Sequence, residues 1–226
     1  LQPEQIVKYG ELTLRENQIA YAEPSFFRLF DFELLKGDKK TCLSMPGQVV
    51  ITERIASKYF KDEDPIGKIF IFTGAYDKIS CEVTGVMKEM PSNSHIHYSF
   101  LISYKSLPKY MQEYWYKHEA YTYVLLDSPE RKAEIEREFP VMAEKYKTDE
   151  ALKNKTWGVS LIPLADIHLT PQVGYEAETK GNRSSMIALI FAAIAILAIA
   201  WINYINLTVA RSMERAKEVG VRREVG

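Results

Sequence analysis

The sequence predicts an α+β fold, a mixed-sheet domain of two subdomains followed by one transmembrane helix. Short runs rich in β-branched and aromatic residues alternate with helical patterns in residues 1–120. A strand–helix–strand pattern, the minimal βαβ unit, follows within 121–168. A long uncharged run, Met186 to Ile202, then precedes a charged C-terminal segment. These three observations place the mixed domain before the membrane helix.

Residues 1–120 are predicted to form a β-rich subdomain. Its strands are expected at QIAYAE (18–23), around Leu35, at QVVIT (48–52), in KIFIFT, in ISCEVTGVMKEM and at SFLISY (99–104). Ser25 is positioned to cap a short helical turn, and Thr52 to cap the helix ERIASKYF, which has an apolar stripe. Pro65 and Gly67 favour a turn before two strands that are expected to pair.

Residues 121–168 are predicted to form a second subdomain. YTYVLLD is expected to be a strand, ERKAEIEREFPVMAEKYK a helix and WGVSLIPLADIHL a closing strand. Strands joined by a helix in this way lie parallel to each other. Pro140 is expected to kink or restart the helix, because proline lacks the amide hydrogen that a helix interior needs.

Residues 169–185 are hydrophilic and are predicted to join the domain to a transmembrane helix at 186–210, as a loop or as a helical stalk. The uncharged run alone spans roughly 26 Å as a helix, slightly less than the about 30 Å of hydrocarbon in a bilayer. Extension through NYINLTVA makes the helix long enough, with Trp201 and Tyr204 as interface anchors. The alternative interpretation is a buried core helix that is apolar on all sides.

The charged flanks predict the orientation of this helix. Five basic residues follow it, namely Arg211, Arg215, Lys217, Arg222 and Arg223, whereas only Arg183 lies close before it. By the positive-inside rule, segment 211–226 is cytoplasmic and residues 1–183 lie outside, which is the periplasm in a Gram-negative cell. Asn203 and Asn206 share one helix face, so we expect this pair to contact other helices of a membrane bundle.

Composition excludes several classes of function. The net charge is −1, and the excess of basic residues is confined to the tail, so no nucleic-acid partner is predicted. The phosphate-loop motif GxxxxGK[ST], the serine-hydrolase motif GxSxG and the zinc motif HExxH do not occur in the sequence. We therefore predict no catalytic residue and no cofactor. The chain begins at Leu1 rather than Met, and we expect it to be a piece of a longer polypeptide.

Two small groups of residues leave alternatives open. His95 and His97 share one face if they lie on a strand, which is half of a possible metal site, but no third ligand follows at a telling spacing. We favour an ordinary edge strand and predict no metal. Cys42 and Cys81 either form a disulfide in an extracytoplasmic domain or are two small buried thiols.

The tail carries a specific resemblance. NYINLTVARSMERAKEVGVRREVG resembles the segment that follows the second transmembrane helix of MacB-like/FtsX-like ABC transporter permeases. The matching elements are N-x-x-N-L from Asn203, A-R-S from Ala210, and R-A-K-E-V-G-V-R-R from Arg215. The segments YAEPSFFRLFDFELLKGD, VVITERIASKYFKDEDPIGKIF, VTGVMKEMPSNSHIHYSFLIS and LIPLADIHL are similar to that family's extracytoplasmic core domain.

The resemblance implies a function. It implies that 121–168 is a porter-like subdomain and that the permease dimerises with a second copy or homologue in the inner membrane. ATP hydrolysis would occur on a separate cytoplasmic ABC ATPase chain, so this chain is not itself an enzyme. A periplasmic adaptor or a lipoprotein is a further partner in such systems, besides membrane lipid. Antibiotics, peptides and lipoproteins are substrates of the family.

The same resemblance assigns a role to the tail. Glu218 and Arg222 are spaced i,i+4 and can pair along a helix, and Arg211 and Arg215 offer cations to an acidic partner. Gly220 permits a bend or a close approach. We expect these five residues to couple the helix to the ATPase; the alternative is that they serve only as a topogenic signal.

Two other functions fit some of these features. The main alternative is a membrane-anchored sensory receptor with an extracytoplasmic ligand-binding domain. A membrane-anchored metalloenzyme that uses His95 and His97 is the third hypothesis.

Overall fold

A computed structural model describes residues 4–74, 78–112, 120–146, 153–156, 158–167 and 183–226. The chain divides into two compact units. One contains the described residues up to Ile162, and the other contains those from Pro163 onward.

The first unit is built on one eight-stranded sheet. The strands are β1 (Gln5–Tyr9), β2 (Leu12–Glu16), β3 (Ile19–Ala22), β4 (Leu34–Lys36), β5 (Gln48–Thr52), β6 (Ile69–Thr73), β7 (Lys78–Met87) and β8 (Phe100–Ser103). Their order is β2-β1-β6-β7-β5-β8-β3, and β4 pairs with β7 beside this path. The pairs β5–β7 and β3–β8 are parallel, and the other pairs are antiparallel. This confirms the predicted mixed sheet of an α+β fold.

Helices interrupt and follow the strands of this unit. They are α1 (Phe26–Leu29), α2 (Glu53–Phe60), α3 (Lys109–Gln112) and α4 (Arg131–Tyr146), with a 3-10 turn at Tyr104–Ser106. Thr52 and Ser25 occupy the predicted N-cap positions, but neither side chain makes a capping hydrogen bond. The Thr52 hydroxyl is buried without a partner among the described residues, and the Ser25 hydroxyl donates to Glu23.

The two faces of the sheet carry two apolar cores. Val49 and Ile51 of β5 lie in a cluster with Ile55, Tyr59 and Phe60 of α2. Val50, between them in sequence, lies in a second cluster with α1 residue Phe27 and with Met87, Ile96 and Leu101. Successive side chains of a strand point to opposite faces, so a central strand that is buried on both faces reads as one continuous apolar run. VVI in β5 and FLI in β8 have this pattern.

Strand β7 contains an irregularity where it pairs with β5. Val49 of β5 pairs with Val83 and Val50 with Gly85, so Thr84 is an extra residue in β7. The Thr84 hydroxyl donates to the carbonyl oxygens of Cys42 and Val49. This bulge bends the strand, and β6 pairs with the first half of β7 while β4 pairs with the second half.

The sequence predictions for this unit differ from the structure in two respects. The β1–β2 hairpin was not predicted, although QIVKY and LTLRE alternate around a turn in which Gly10 has a φ of +55°. Conversely, residues 120–126 and 158–163 contain no strand, so the strands expected at YTYVLLD and in WGVSLIPLADIHL are wrong within the described residues. β-Branched and aromatic residues favour a strand only where a neighbouring strand pairs with it.

The helix of the predicted βαβ unit is confirmed as α4. It is assigned as one helix that runs through Pro140, so the expected restart does not occur. Leu161, in the segment predicted as the closing strand, donates its amide hydrogen to Glu136 of α4 at 2.7 Å. The division of the chain into subdomains 1–120 and 121–168 stays a prediction.

The second unit contains a 3-10 turn at Leu164–Asp166 and one long helix, α5 (Arg183–Val225). Within the described residues, α5 is the helix that is long and apolar enough, by length and composition, to cross a membrane. It continues without interruption from the predicted membrane segment 186–210 through the predicted coupling segment 211–226. Most of the predicted junction, 169–185, lies outside the described residues.

Candidate functional site

Two parts of the molecule carry candidate sites, the surface of α5 and a pocket beside α1. On α5, the predicted bundle-contacting residues Asn203 and Asn206 are both helical and exposed, and they lie on the same side because three residues make nearly one turn. An amide in a membrane helix favours a hydrogen-bonding protein neighbour over lipid. The role of this pair in a membrane bundle stays a prediction.

The predicted coupling residues are placed along the last four turns of α5. Arg222 donates to Glu218 at 2.9 Å, as their i,i+4 spacing predicts. Both side chains are largely exposed, so this pair adds little to stability. Arg211 and Arg215 are exposed on the same helix. Gly220 produces no break in the helix, and a Cβ at this position would meet no atom of the described chain.

A pocket of about 390 Å³ lies beside α1 in the first unit. Its wall combines α1, the end of β3, residues of β8 and the following 3-10 turn, and the extended segment 120–123. Aromatic rings dominate: the centroid of Phe30 lies 5.1 Å from that of Phe26 and 4.9 Å from that of Tyr123. The volume is within the range of small-molecule sites.

Polar groups also line the pocket, among them the side chains of Ser25 and Thr122 and the hydroxyl groups of several tyrosines. Nε2 of His95 lies 2.9 Å from the Tyr123 hydroxyl, next to the Phe30 ring. Burial raises the pKa of Tyr123 to about 12, with a further contribution from Tyr121. Glu23 is the one charged side chain among the residues that line the pocket. A lining of aromatic rings and hydroxyl groups suits a ligand with both apolar and hydrogen-bonding parts, and the Glu23 carboxylate disfavours an anion.

Sequence reasoning did not find this pocket. The signal that exists is the density of aromatic residues in SFFRLFDF and in YTY, which lie far apart in the sequence. In the fold they line one pocket, beside which β3 pairs in parallel with β8. Periodicity within one segment carries no information on that pairing.

His95 and His97 do not lie on an edge strand, because the segment before β8 is irregular. Nε2 of His97 lies 3.0 Å from the Pro91 carbonyl oxygen, whereas His95 is near Tyr123. Among the described residues, no group of three or more potential ligands is arranged to hold a metal ion.

Cys42 and Cys81 are free and buried, and they belong to different apolar clusters. Burial raises the pKa of Cys42 to about 11 and that of Cys81 to about 12. Of the two alternatives left by the sequence, the structure has the buried thiols.

Several solved structures are similar to this chain. The solved domain of a candidate permease protein from Porphyromonas gingivalis is 20% identical over 66% of this chain and 68% of that chain, with a TM-score of 0.52. The periplasmic region of MacB from Actinobacillus actinomycetemcomitans is 19% identical, with 46% and 45% covered and a TM-score of 0.37. The extracellular domain of the noncanonic ABC-type transporter YknZ from Gram-positive bacteria is 18% identical, with 66% and 74% covered and a TM-score of 0.45.

None of the curated protein sequences that were compared matches the chain. At 20% identity the first solved domain supports a shared fold only. A family model, that of the MacB-like periplasmic core domain, matches residues 2–140. Because this match covers more than half of the 226 residues, the chain belongs to the family of MacB-like periplasmic core domains.

Proposed function

We propose that the chain is part of the permease subunit of an ABC-type transport or mechanotransmission system. In this proposal, motion driven by a cytoplasmic ATPase is relayed through α5 to the extracytoplasmic domain, for export or extraction of a substrate such as an antibiotic, a peptide or a lipoprotein. The observation that carries the proposal is a MacB-like periplasmic core domain in one chain with a membrane-length helix that ends in basic residues.

The proposed location follows from the charges around α5. Arg211, Arg215 and Lys217 follow its apolar part, which favours a cytoplasmic C-terminal segment in the inner membrane and an extracytoplasmic first unit. ATP hydrolysis is assigned to a separate partner chain, and a second permease copy or homologue completes the membrane assembly. A periplasmic adaptor or a lipoprotein is a further proposed partner.

The continuity of α5 supports a mechanical role. Its 43 residues form one helix of about 64 Å, more than twice the about 30 Å of hydrocarbon in a bilayer. Motion at its cytoplasmic end is therefore transmitted along a single element. Arg211, Arg215, Glu218 and Arg222 are the proposed contacts with the ATPase, and Gly220 leaves space for a close approach.

Co-purification of the full-length permease with an ATPase chain tests this function, followed by reconstitution in proteoliposomes. We expect Glu218→Ala and Arg222→Ala to lower stimulation of the ATPase by the permease at least about tenfold, since charge-assisted contacts with a partner contribute about 1.5–3 kcal/mol. The variants should still assemble with the second permease copy.

A charge exchange separates coupling from helix stability. The double variant Glu218→Arg/Arg222→Glu keeps an i,i+4 ion pair within the helix but presents the opposite charges to a partner. We expect the permease with this double variant to stimulate the ATPase as weakly as the single variants do. Recovery of coupling in this variant would show that the pair only stabilises the helix. Failure of any ATPase chain to co-purify would instead favour a membrane-anchored sensory receptor.

A further inference from the structure

The apolar part of α5 has two opposite faces of different character. At about 100° per residue, one face contains Ala188, Ala192, Ala195, Asn203, Asn206 and Ala210, interrupted by Ile199. Small residues and amides are typical of surfaces where membrane helices pack against each other. This face extends the Asn203–Asn206 pair toward the N-terminal end of α5.

The opposite face is formed by large side chains. Ile190, Ile194, Leu197, Trp201 and Tyr204 share a sector of about 80°, centred about 150° away from the two asparagines. Leu197, Trp201 and Tyr204 are 68%, 75% and 67% exposed. Large apolar side chains that end in Trp and Tyr are typical of a helix surface in contact with lipid and its interface.

Basic residues continue this second face beyond the aromatic residues. Thr208, Arg211 and Arg215 fall within about 80° of Trp201 around the helix axis. The Thr208 hydroxyl donates to the Tyr204 carbonyl oxygen at 2.8 Å, so it needs no partner outside the helix. Arg211 and Arg215 are therefore the polar groups on this face that we expect to bind a partner outside the helix.

Depth decides which arginines can reach the lipid. If the hydrocarbon ends near Ile205, about twenty residues from Met186 inclusive, Arg211 lies about 9 Å and Arg215 about 15 Å beyond it along the axis. Long arginine side chains extend back toward the interface. Arg222 lies about 26 Å beyond, several Debye lengths from the surface, and is paired with Glu218.

We propose that the face of Leu197, Trp201 and Tyr204 contacts lipid and that Arg211 and Arg215 bind the phosphate groups of anionic phospholipids in the adjacent leaflet. This inference rests on the proposed membrane span. It changes the proposed role of Arg211 and Arg215 from ATPase contacts to groups that hold the helix at the membrane surface. The Glu218–Arg222 ion pair keeps its proposed role in contact with the ATPase. It also leaves the face of Asn203 and Asn206 for contact with protein.

Trp201 reports on this contact directly. The protein contains three tryptophans, so replacing Trp115 and Trp157 by Phe leaves Trp201 as the single fluorophore. We would measure its quenching in bilayers that contain brominated phosphatidylglycerol or brominated phosphatidylcholine. The wild-type face should prefer phosphatidylglycerol, and Arg211→Ala/Arg215→Ala should lower the preference about fivefold for each arginine removed.

Lys217→Ala is the matched control for Arg215→Ala. Lys217 lies only about 3 Å further along the axis but about 160° around it, and both changes remove one positive charge. The single variant Lys217→Ala should leave the preference of Trp201 for phosphatidylglycerol unchanged. An equal loss in the two single variants would overturn the assignment of a lipid-binding face, because the effect would then depend on depth alone.

Two further outcomes would contradict the inference and can be told apart. Equal quenching by both lipids in the wild-type protein would overturn the lipid-binding face and leave the membrane span intact. Absence of quenching by either lipid would overturn the membrane span as well, and with it the proposed function. Circular dichroism of each variant verifies that α5 remains helical.

Discussion

At the residue scale, Gly37 shows how one position is fixed by its surroundings. Its φ is +97°, a conformation that favours glycine, and a Cβ there would overlap the Thr84 carbonyl oxygen and press on Cα of Gly85. The sequence predicts a strand around Leu35 but does not predict this close contact at Gly37. The contact with Thr84 exists because β4 pairs with β7, which places the residue after β4 against the β7 backbone.

We predict that Gly37→Ala lowers the free energy of unfolding by at least about 2 kcal/mol, since it combines backbone strain with overlap against backbone atoms. Urea denaturation measures this. Gly10→Ala is the control: Gly10 also has a positive φ, +55°, but a Cβ there meets no atom within 4 Å. Gly10→Ala should lower the free energy of unfolding by only about 1 kcal/mol. Equal losses in the two variants would contradict the proposed overlap.

The buried thiols predict a pH dependence of stability. Below pH 9 both the folded and the unfolded chain keep the Cys81 proton. Above pH 9 the unfolded chain releases it, whereas burial holds the pKa in the folded chain at about 12. The unfolded state then binds fewer protons, so stability falls as pH rises from 9 toward 12, by up to about 1.4 kcal/mol per pH unit for this thiol.

Unfolding free energies measured between pH 8.5 and 10.5 under reducing conditions test this slope. Cys81→Ala should make the fall of the unfolding free energy with pH less steep, by nearly the amount that corresponds to one proton released on unfolding. The cavity that the substitution leaves lowers stability at every pH and does not change this slope. The titrations of lysines and of Tyr59 are common to both proteins and cancel in the difference. Identical slopes would mean that Cys81 is not protected from ionisation by burial.

At the element scale, patterns that depend on one segment were predicted correctly. β5 and α2 follow from an apolar run and a helical stripe, and α4 from its periodicity. The errors concern pairing: the β1–β2 hairpin was missed, and two strands were assigned to 120–126 and 158–163 where none is formed. A segment forms a strand only if it pairs with a neighbouring strand. The sequence of one segment does not show whether such a neighbour is present in the fold.

The helices show the same distinction. α4 runs through Pro140 although proline disfavours a helix interior. Contacts in the rest of the first unit, including the hydrogen bond between Glu136 and Leu161, contribute to holding this segment. In α5, by contrast, length, apolar content and the Glu218–Arg222 pair follow from the sequence alone because every relevant interaction is within one helix.

At the scale of the whole molecule, the two units differ in what stabilises them. The buried apolar residues of the described chain lie between Val7 and Ala143, all within the first unit. Every side chain of α5 whose burial the structure describes is exposed. The first unit therefore has its own core, and the helix requires a membrane or other helices to cover its surface.

We predict that a chain truncated after residue 182 folds, with an unfolding free energy within about 1 kcal/mol of the domain in the intact chain, because truncation removes no buried core residue. It should also remain soluble without detergent. Circular dichroism and urea denaturation measure both proteins. A chain truncated after residue 98 is the control: it loses β8, which lies between β5 and β3, and should not fold. Loss of folding on removal of 183–226 would show that the core depends on the helix.

The sequence by itself determined the α+β class, the membrane-length helix, the charged segment after it and the i,i+4 ion pair, because each rests on periodicity, composition or short spacing. Only the tertiary structure decided the strand order, the bulge at Thr84, the separation of Cys42 from Cys81 in two cores, and the aromatic pocket beside α1. These features arise from contacts between residues far apart in sequence. Which distant segments meet is set by the competition of all strands for neighbours, and no single segment encodes it.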